Sequence, residues 1–183
     1  MINDLVPQEN DKKPENLTNL KLSLREWIKD PTKAELPWFF ISGTYGSGKS
    51  HIMSAMKNYW KNFAFYVNGA DMKARLHESL DDNTLTKYVN FMIASPILLV
   101  DDIGSQGKGD FFISQLHYVI ESRLNNGANR FPVIMTSNLE LADFVLSLND
   151  DIRRIGSRMA NRQIVQRHKL TQPDFRVTQG QVK

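Results

Sequence analysis

The segment Gly43-Thr44-Tyr45-Gly46-Ser47-Gly48-Lys49-Ser50 constrains this chain more than any other. It fits G-x-x-x-x-G-K-[ST], a phosphate-binding loop when it joins a strand to a helix. Both flanks meet that condition. Trp38-Phe39-Phe40-Ile41-Ser42 is an apolar run that reads as a strand, and 51–60 carries apolar residues at helical spacing. The glycines let the backbone curl so that successive N–H groups converge on phosphate oxygens. The helix N-terminus adds the positive end of its dipole. Lys49 is placed to reach β- and γ-phosphates, and the Ser50 hydroxyl to ligate Mg²⁺. The nucleotide-binding set read from this segment is Gly43, Thr44, Tyr45, Gly46, Ser47, Gly48, Lys49, Ser50 and His51.

The rest of the chain repeats the strand–helix alternation. Strands are expected at 63–67, 96–100 and 131–136, and a last one across 164–170. Helices are expected at 71–80, 85–92, 111–124, 141–148 and 151–161. The run Ile97-Leu98-Leu99-Val100 is wholly apolar, as the buried centre of a parallel sheet requires. The expected fold is α/β, a three-layer P-loop NTPase sandwich with a mainly parallel central sheet. Upstream, residues 1–16 are polar and read as an arm, while Leu17, Leu20, Leu22, Leu24, Trp27 and Ile28 suggest a short helix braced against the core. We therefore divide the chain into 1–35, arm and brace, and 36–183, the ATPase domain.

Composition removes several chemistries. Cysteine is absent, so disulfides, zinc–thiolate sites and thiol catalysis are excluded. The four histidines, at 51, 77, 117 and 168, lack metal-ligand spacing. No run approaches the roughly 18 apolar residues of a membrane span, and the N-terminus lacks the pattern of a signal peptide. The expected location is cytoplasmic, in a bacterium or as a phage protein in a bacterial host. Net charge is only +3, but Arg153, Arg154, Arg158, Arg162, Arg167 and Lys169 crowd one segment with only distant acids to offset them. Such a cluster suits phosphate, on a nucleic acid or a neighbour's nucleotide, or else a solvated helix face.

The strand at 96–100 ends in Asp101-Asp102, at the sheet edge where ligands of open α/β folds gather. Asp101 is placed to hold Mg²⁺, directly or through water, and Asp102 to orient or deprotonate an attacking water. Neighbours in a strand point to opposite faces, so distinct roles are expected. Asn138 ends the following strand. Its carboxamide can bond the lytic water or γ-phosphate, or cap the helix that begins near residue 140.

These motifs together resemble the AAA+ ATPases, and within them the bacterial replicative helicase loaders and their transposase-partner relatives. Tyr45 to His51 resembles the family's phosphate loop, and Leu98-Leu99-Val100-Asp101-Asp102-Ile103-Gly104 its Walker B stretch. Ile134-Met135-Thr136-Ser137-Asn138-Leu139 is similar to the sensor-1 strand, and Asp151-Ile152-Arg153-Arg154-Ile155-Gly156-Ser157-Arg158-Met159 to the box that carries the arginine finger. The resemblance covers roughly residues 36 to 178. It implies ATP and Mg²⁺ as cofactors, ATP hydrolysis that is weak in isolation, and a helical lid that is minimal or absent here. Catalytic residues would be Asp102, Asn138 and Arg158, with Ser50 and Asp101 on the metal. Arg154 is the second choice for the finger, Arg123 is a candidate at a subunit edge, and Arg176 a candidate sensor. Implied partners are further copies of the chain across ATP interfaces, a replicative helicase and, weakly, single-stranded DNA. A transposase helper or an inhibitor of a host loader are the alternatives. The DNA contact would fall in 69–94, through Lys73, Arg75, Lys87 and the aromatics Tyr88 and Phe91, though those rings suit the core equally well.

Overall fold

The computed structural model describes residues 14–81, 84–104, 111–128 and 130–172. The expected arm before residue 14 and Arg176 lie outside them. In chain order the elements are α1 (Pro14–Trp27), β1 (Trp38–Gly43), α2 (Lys49–Trp60), β2 (Ala64–Asn68), α3 (Gly69–Asp81), α4 (Leu85–Ala94), β3 (Ile97–Ile103), α5 (Phe111–Asn125), β4 (Val133–Ser137), α6 (Leu141–Val145), α7 (Asp150–Met159) and β5 (Val165–Leu170). The five strands form one sheet in the order β2-β3-β4-β1-β5, and every pairing is parallel. It is the expected three-layer P-loop sandwich.

Period-two alternation sorts the strands' side chains into two cores. Trp38 and Phe40 of β1, Leu98 and Val100 of β3, and Val133 and Met135 of β4 face the layer built by α3, α4, α5 and α7. Their neighbours Phe39, Ile41, Ile97, Leu99 and Ile134 face α1 and α2. The central strands are thus apolar on both faces, which is why they read as continuous hydrophobic runs.

Helix α1 packs on the sheet. Leu17, Leu20, Leu24 and Trp27 recur at helical spacing and are all buried against the second core. Trp27 packs edge-on against Phe39 with ring centroids 5.5 Å apart, and its indole N–H donates to Pro37 O at 2.9 Å. Leu22 falls off that stripe and is exposed. The expected helix over 141–148 is shorter, because α6 stops at Val145 and a bend delivers the chain to α7. Asn149 starts α7 by accepting the Ile152 N–H at 3.0 Å. At Gly156 the two helices touch, and a Cβ there would lie 2.7 Å from Phe144 Cβ and 2.9 Å from Val145 N. The absence of a side chain at 156 is what seats α7, and with it Arg158, close to α6.

Candidate functional site

Adjacent strands β3, β4 and β1 bring their C-terminal ends to one edge of the sheet, so the phosphate loop, the two carboxylates and Asn138 come together there. Gly46 and Gly48 have φ of +73° and +92°, and Gly48 is the N-cap of α2. Side chains rarely tolerate that conformation, whereas glycine accepts it without strain. No side chain caps α2, so its first-turn N–H groups remain with the loop. The Lys49 ammonium is buried and donates to Gly43 O and Thr44 O, each at 2.7 Å, and to Ser47 Oγ at 3.3 Å. Neutral oxygens are weaker partners for an ammonium than phosphate. This concentration of backbone and lysine donors fits a polyphosphate. The loop also abuts the chain just past β5, where Thr44 Oγ1 donates to Gln172 O at 3.5 Å. Tyr45, Ser50 and His51 are exposed around it.

Asp101 is buried and held on both oxygens. Oδ1 accepts from Thr136 Oγ1 at 2.5 Å, and Oδ2 from the Tyr66 hydroxyl at 3.1 Å. Burial, with Asp101 alongside, pushes the Tyr66 phenol up to about 12, so it stays a donor at neutral pH. Each carboxylate oxygen carries a further lone pair. No group of three acidic or histidine side chains able to hold a metal occurs among the described residues. Mg²⁺ fits that sparse set, because it takes one or two protein ligands and completes its shell with water and substrate phosphate. Ser50 and Asp101 would hold it. It would neutralise charge on the phosphates there.

The two acids do not follow simple strand alternation. Val100 pairs with Met135, yet Ile103 pairs with Ser137, so two residues of β3 stand opposite Thr136. Asp102 takes up this bulge with φ of +58°, a left-handed conformation that Asp tolerates better than most residues. Thr136 fastens both acids, since the hydroxyl that donates to Asp101 also accepts the Asp102 N–H at 3.0 Å. The bulge turns the Asp102 carboxylate to Asn138, whose Nδ2 donates to Asp102 Oδ1 at 2.5 Å. Asn138 is not the cap of α6. Glu140 occupies that position, with its N–H bonded to the Asp143 carboxylate at 2.9 Å.

A second polar system joins α5 to α7. Ser114 Oγ donates to Asp151 Oδ2 at 2.6 Å, and Asp151 Oδ1 lies 3.1 Å from His117 Nδ1. His117 Nε2 lies 3.4 Å from Glu121 Oε1, which accepts from Arg158 Nε at 2.6 Å. Burial raises the Glu121 pKa, but the Arg158 hydrogen bond and charge, with His117, outweigh it and hold the carboxyl below its ordinary value. The acids that looked distant from the arginine cluster are therefore close in space. Arg153 also pairs with Asp150 and Lys169 with Glu140. Arg154 is exposed on α7.

A family model described as the bacterial DnaA ATPase domain matches residues 20–140. The chain belongs to that family. It is an AAA+ P-loop ATPase domain of the replication-initiator type. Among solved structures, AMPPCP-bound DnaA from Aquifex aeolicus superposes with a TM-score of 0.70 at 17% identity, over 92% of this chain and 49% of that one. A replication initiator DnaA bound to AMPPCP and single-stranded DNA gives 0.72 at 18% identity, over 93% and 50%. The DnaC helicase loader gives 0.67 at 20% identity, over 94% and 96%. At these identities the likeness shows the fold, and the chain spans about half the length of the initiator structures. No curated protein matches it.

Two positions in this AAA+ domain depart from expectation. Arg123 is not at a subunit edge. It is completely buried, and its guanidinium donates to Met92 O, Ile93 O, Ser95 O, Ser95 Oγ and Pro132 O at 2.6–3.1 Å. It caps the carbonyl end of α4 and ties it to the entry of β4. Tyr88 is half-buried, edge-on to Phe65 at 5.7 Å, and is not presented for base stacking. Lys87 and Phe91, one turn apart on α4, are exposed, as is Arg75 on α3.

Thr136 and Tyr66 join the site without a motif of their own. A hydroxyl residue inside an otherwise apolar central strand was the available signal for Thr136. Nothing local marked Tyr66, which meets Asp101 only because β2 pairs with β3. For Asp102→Asn we expect unchanged ATP affinity and turnover lower by about a hundredfold or more, the usual weight of a general base. Asn tolerates the same backbone conformation, so the fold should survive. Single-turnover hydrolysis at saturating ATP is the measurement, and a wild-type rate would remove Asp102 from the chemistry.

Proposed function

We propose that this domain is an ATP-dependent replication accessory factor, a bacterial or phage helicase loader acting in the cytoplasm. It assembles through ATP and delivers or remodels a replicative helicase on single-stranded DNA. The 1–35 segment serves as arm and brace, and 36–183 as the ATPase unit. The observation that carries this reading is the pairing of a nucleotide site at the sheet edge with an exposed arginine elsewhere. Arg158 is 44% exposed and is bonded to Glu121 of α5, not to the phosphate loop or the β3 acids. An arginine so placed suits a neighbouring subunit's γ-phosphate, where it offsets developing charge. Within one subunit Lys49 and Ser50 grip the nucleotide, Asp101 holds the metal side, Asp102 orients water and Asn138 positions the Asp102 carboxylate. The loader reading is supported by the resemblance of the phosphate loop, the Walker B stretch, the sensor-1 strand and the arginine box to those of the helicase loaders.

The test is a pull-down of tagged protein from host extract, with and without ATP, read by mass spectrometry. Replicative helicase should be retained with ATP and lost with Lys49→Ala. Capture of a transposase instead would make the domain a transposition helper, and capture of a host loader without turnover would make it an inhibitor. For DNA we expect binding to single strands that a nonhydrolysed ATP analogue strengthens and that falls steeply with salt. Phe91→Ala should weaken it by about tenfold, in line with one lost base stack. Fluorescence anisotropy that shows no binding at low salt with the analogue would leave a protein adaptor in its place.

A further inference from the structure

The α5–α7 system does more than join two helices. Ser114, His117 and Glu121 lie on one stripe of α5, at spacings of three and four residues. Asp151 and Arg158 occupy the first and last turns of α7. Four successive contacts run from Ser114 through Asp151, His117 and Glu121 to Arg158, none longer than 3.4 Å. Both ends of α7 are therefore fixed against the same face of α5.

The atom that Glu121 engages matters. A guanidinium offers five N–H donors in one rigid plane. Glu121 takes the hydrogen bond of Nε alone, which orients the plane, while Nη1 and Nη2 make no hydrogen bond among the described residues. A carboxylate bound across the two Nη atoms would have competed with an incoming phosphate. One bound at Nε leaves that fork available. Glu121 is also less exposed than the arginine it holds, at 24% against 44%, so the anchor sits below and the fork toward solvent.

We propose that Glu121 is a positioning residue for Arg158. Held in turn by His117 and Asp151, it presets the guanidinium so that its Nη edge meets the γ-phosphate bound by an adjoining copy of this chain. The proposal rests on the assignment of Arg158 as the finger. It assigns to α5 a part in hydrolysis that takes place in the next subunit. Presetting the plane removes rotational freedom before the subunits meet, and small errors in such placement cost large factors in rate.

The experiment uses mixtures of full-length chains. Arg158→Ala protein supplies an intact pocket without a finger, and Lys49→Ala protein supplies a finger without a pocket. Their mixture should regain turnover that neither has alone. Glu121→Ala is then added to one partner at a time. In the finger donor, as Lys49→Ala/Glu121→Ala, it should cut the regained rate by about tenfold, with KM for ATP unchanged. In the pocket donor, as Arg158→Ala/Glu121→Ala, it should leave the rate alone. Glu121→Gln in the finger donor retains an oxygen acceptor for Nε and should restore most of the loss. A general structural role would lower both mixtures alike, and equal loss on the two sides overturns the proposal. So does full rescue by the Glu121→Ala finger donor, which leaves Arg158 as the finger but without this support. No rescue even with Glu121 intact removes the finger, and the positioning role with it.

Discussion

Lys49→Ala should reduce affinity for ATP·Mg²⁺ by at least about a hundredfold. The ammonium is the buried cation of the phosphate loop, already aligned by Gly43 O, Thr44 O and Ser47 Oγ. A phosphate oxygen replaces neutral acceptors with charged ones, and hydrogen bonds to charged groups contribute about 1.5–3 kcal/mol each. Alanine deletes the donor and leaves negative charge facing the loop without a counter-ion. The fold should persist, because Ile52, Met53 and Met56 still bury α2 against the sheet. Isothermal titration is the direct measurement, with circular dichroism to establish that the protein is folded. Wild-type affinity in a folded variant would mean that the loop does not bind the nucleotide's phosphates.

Arg123→Ala should have the largest effect on stability. Its guanidinium serves four backbone carbonyls, three at the end of α4 and one just before β4, together with the Ser95 hydroxyl. Burial pushes the group down to about 9, while the oxygens around it favour the cation, so it remains charged at neutral pH. Alanine strands those carbonyls in the interior at about 1–3 kcal/mol for each left unsatisfied, and leaves a cavity as well. A loss of about 4 kcal/mol is a large share of the roughly 5–15 kcal/mol that holds a domain folded. It corresponds to a fall in Tm of about 8–16 °C at this chain length. Arg123→Lys should recover little, since one ammonium cannot span acceptors arranged for a planar fork. Thermal and urea denaturation would decide it, and a Tm within a degree or two of wild type would contradict the capping role.

The same residue illustrates what was legible in the sequence. Phe112, Ile113, Leu116, Val119 and Ile120 define the inner stripe of α5, and continuing that spacing reaches position 123. Helical phase therefore placed Arg123 inside, while residue type alone suggested a surface. Tyr88 follows the same logic, because it lies between the buried or half-buried Leu85, Val89 and Met92 on the inner side of α4. The P-loop, the apolar strands and their order along the chain were readable because each rests on local spacing. The contacts of Asp101 with Tyr66 and Thr136 were not, because they depend on which strands become neighbours. The link from Glu121 to Arg158 spans 37 positions and exists only once α5 and α7 are packed.

The bulge at Asp102 makes the length of β3 a part of the site, separately from its composition. In an uninterrupted ladder after Val100 and Met135, Asp102 would stand opposite Ser137 and Ile103 opposite Asn138. The extra residue shifts this phase by one, so Ile103 meets Ser137 and Asn138 lies just beyond the ladder, where it reaches the Asp102 carboxylate. Substitutions here change one functional group at a time. A one-residue deletion between Val100 and Ile103 would instead close the bulge: Ile103 would still meet Ser137, but a single acid would stand opposite Thr136 and follow plain strand alternation, without the left-handed turn that aims Asp102 at Asn138. Point changes and length changes at this strand end should therefore be tolerated very differently, because the number of residues between two fixed hydrogen bonds sets the direction in which the carboxylate points.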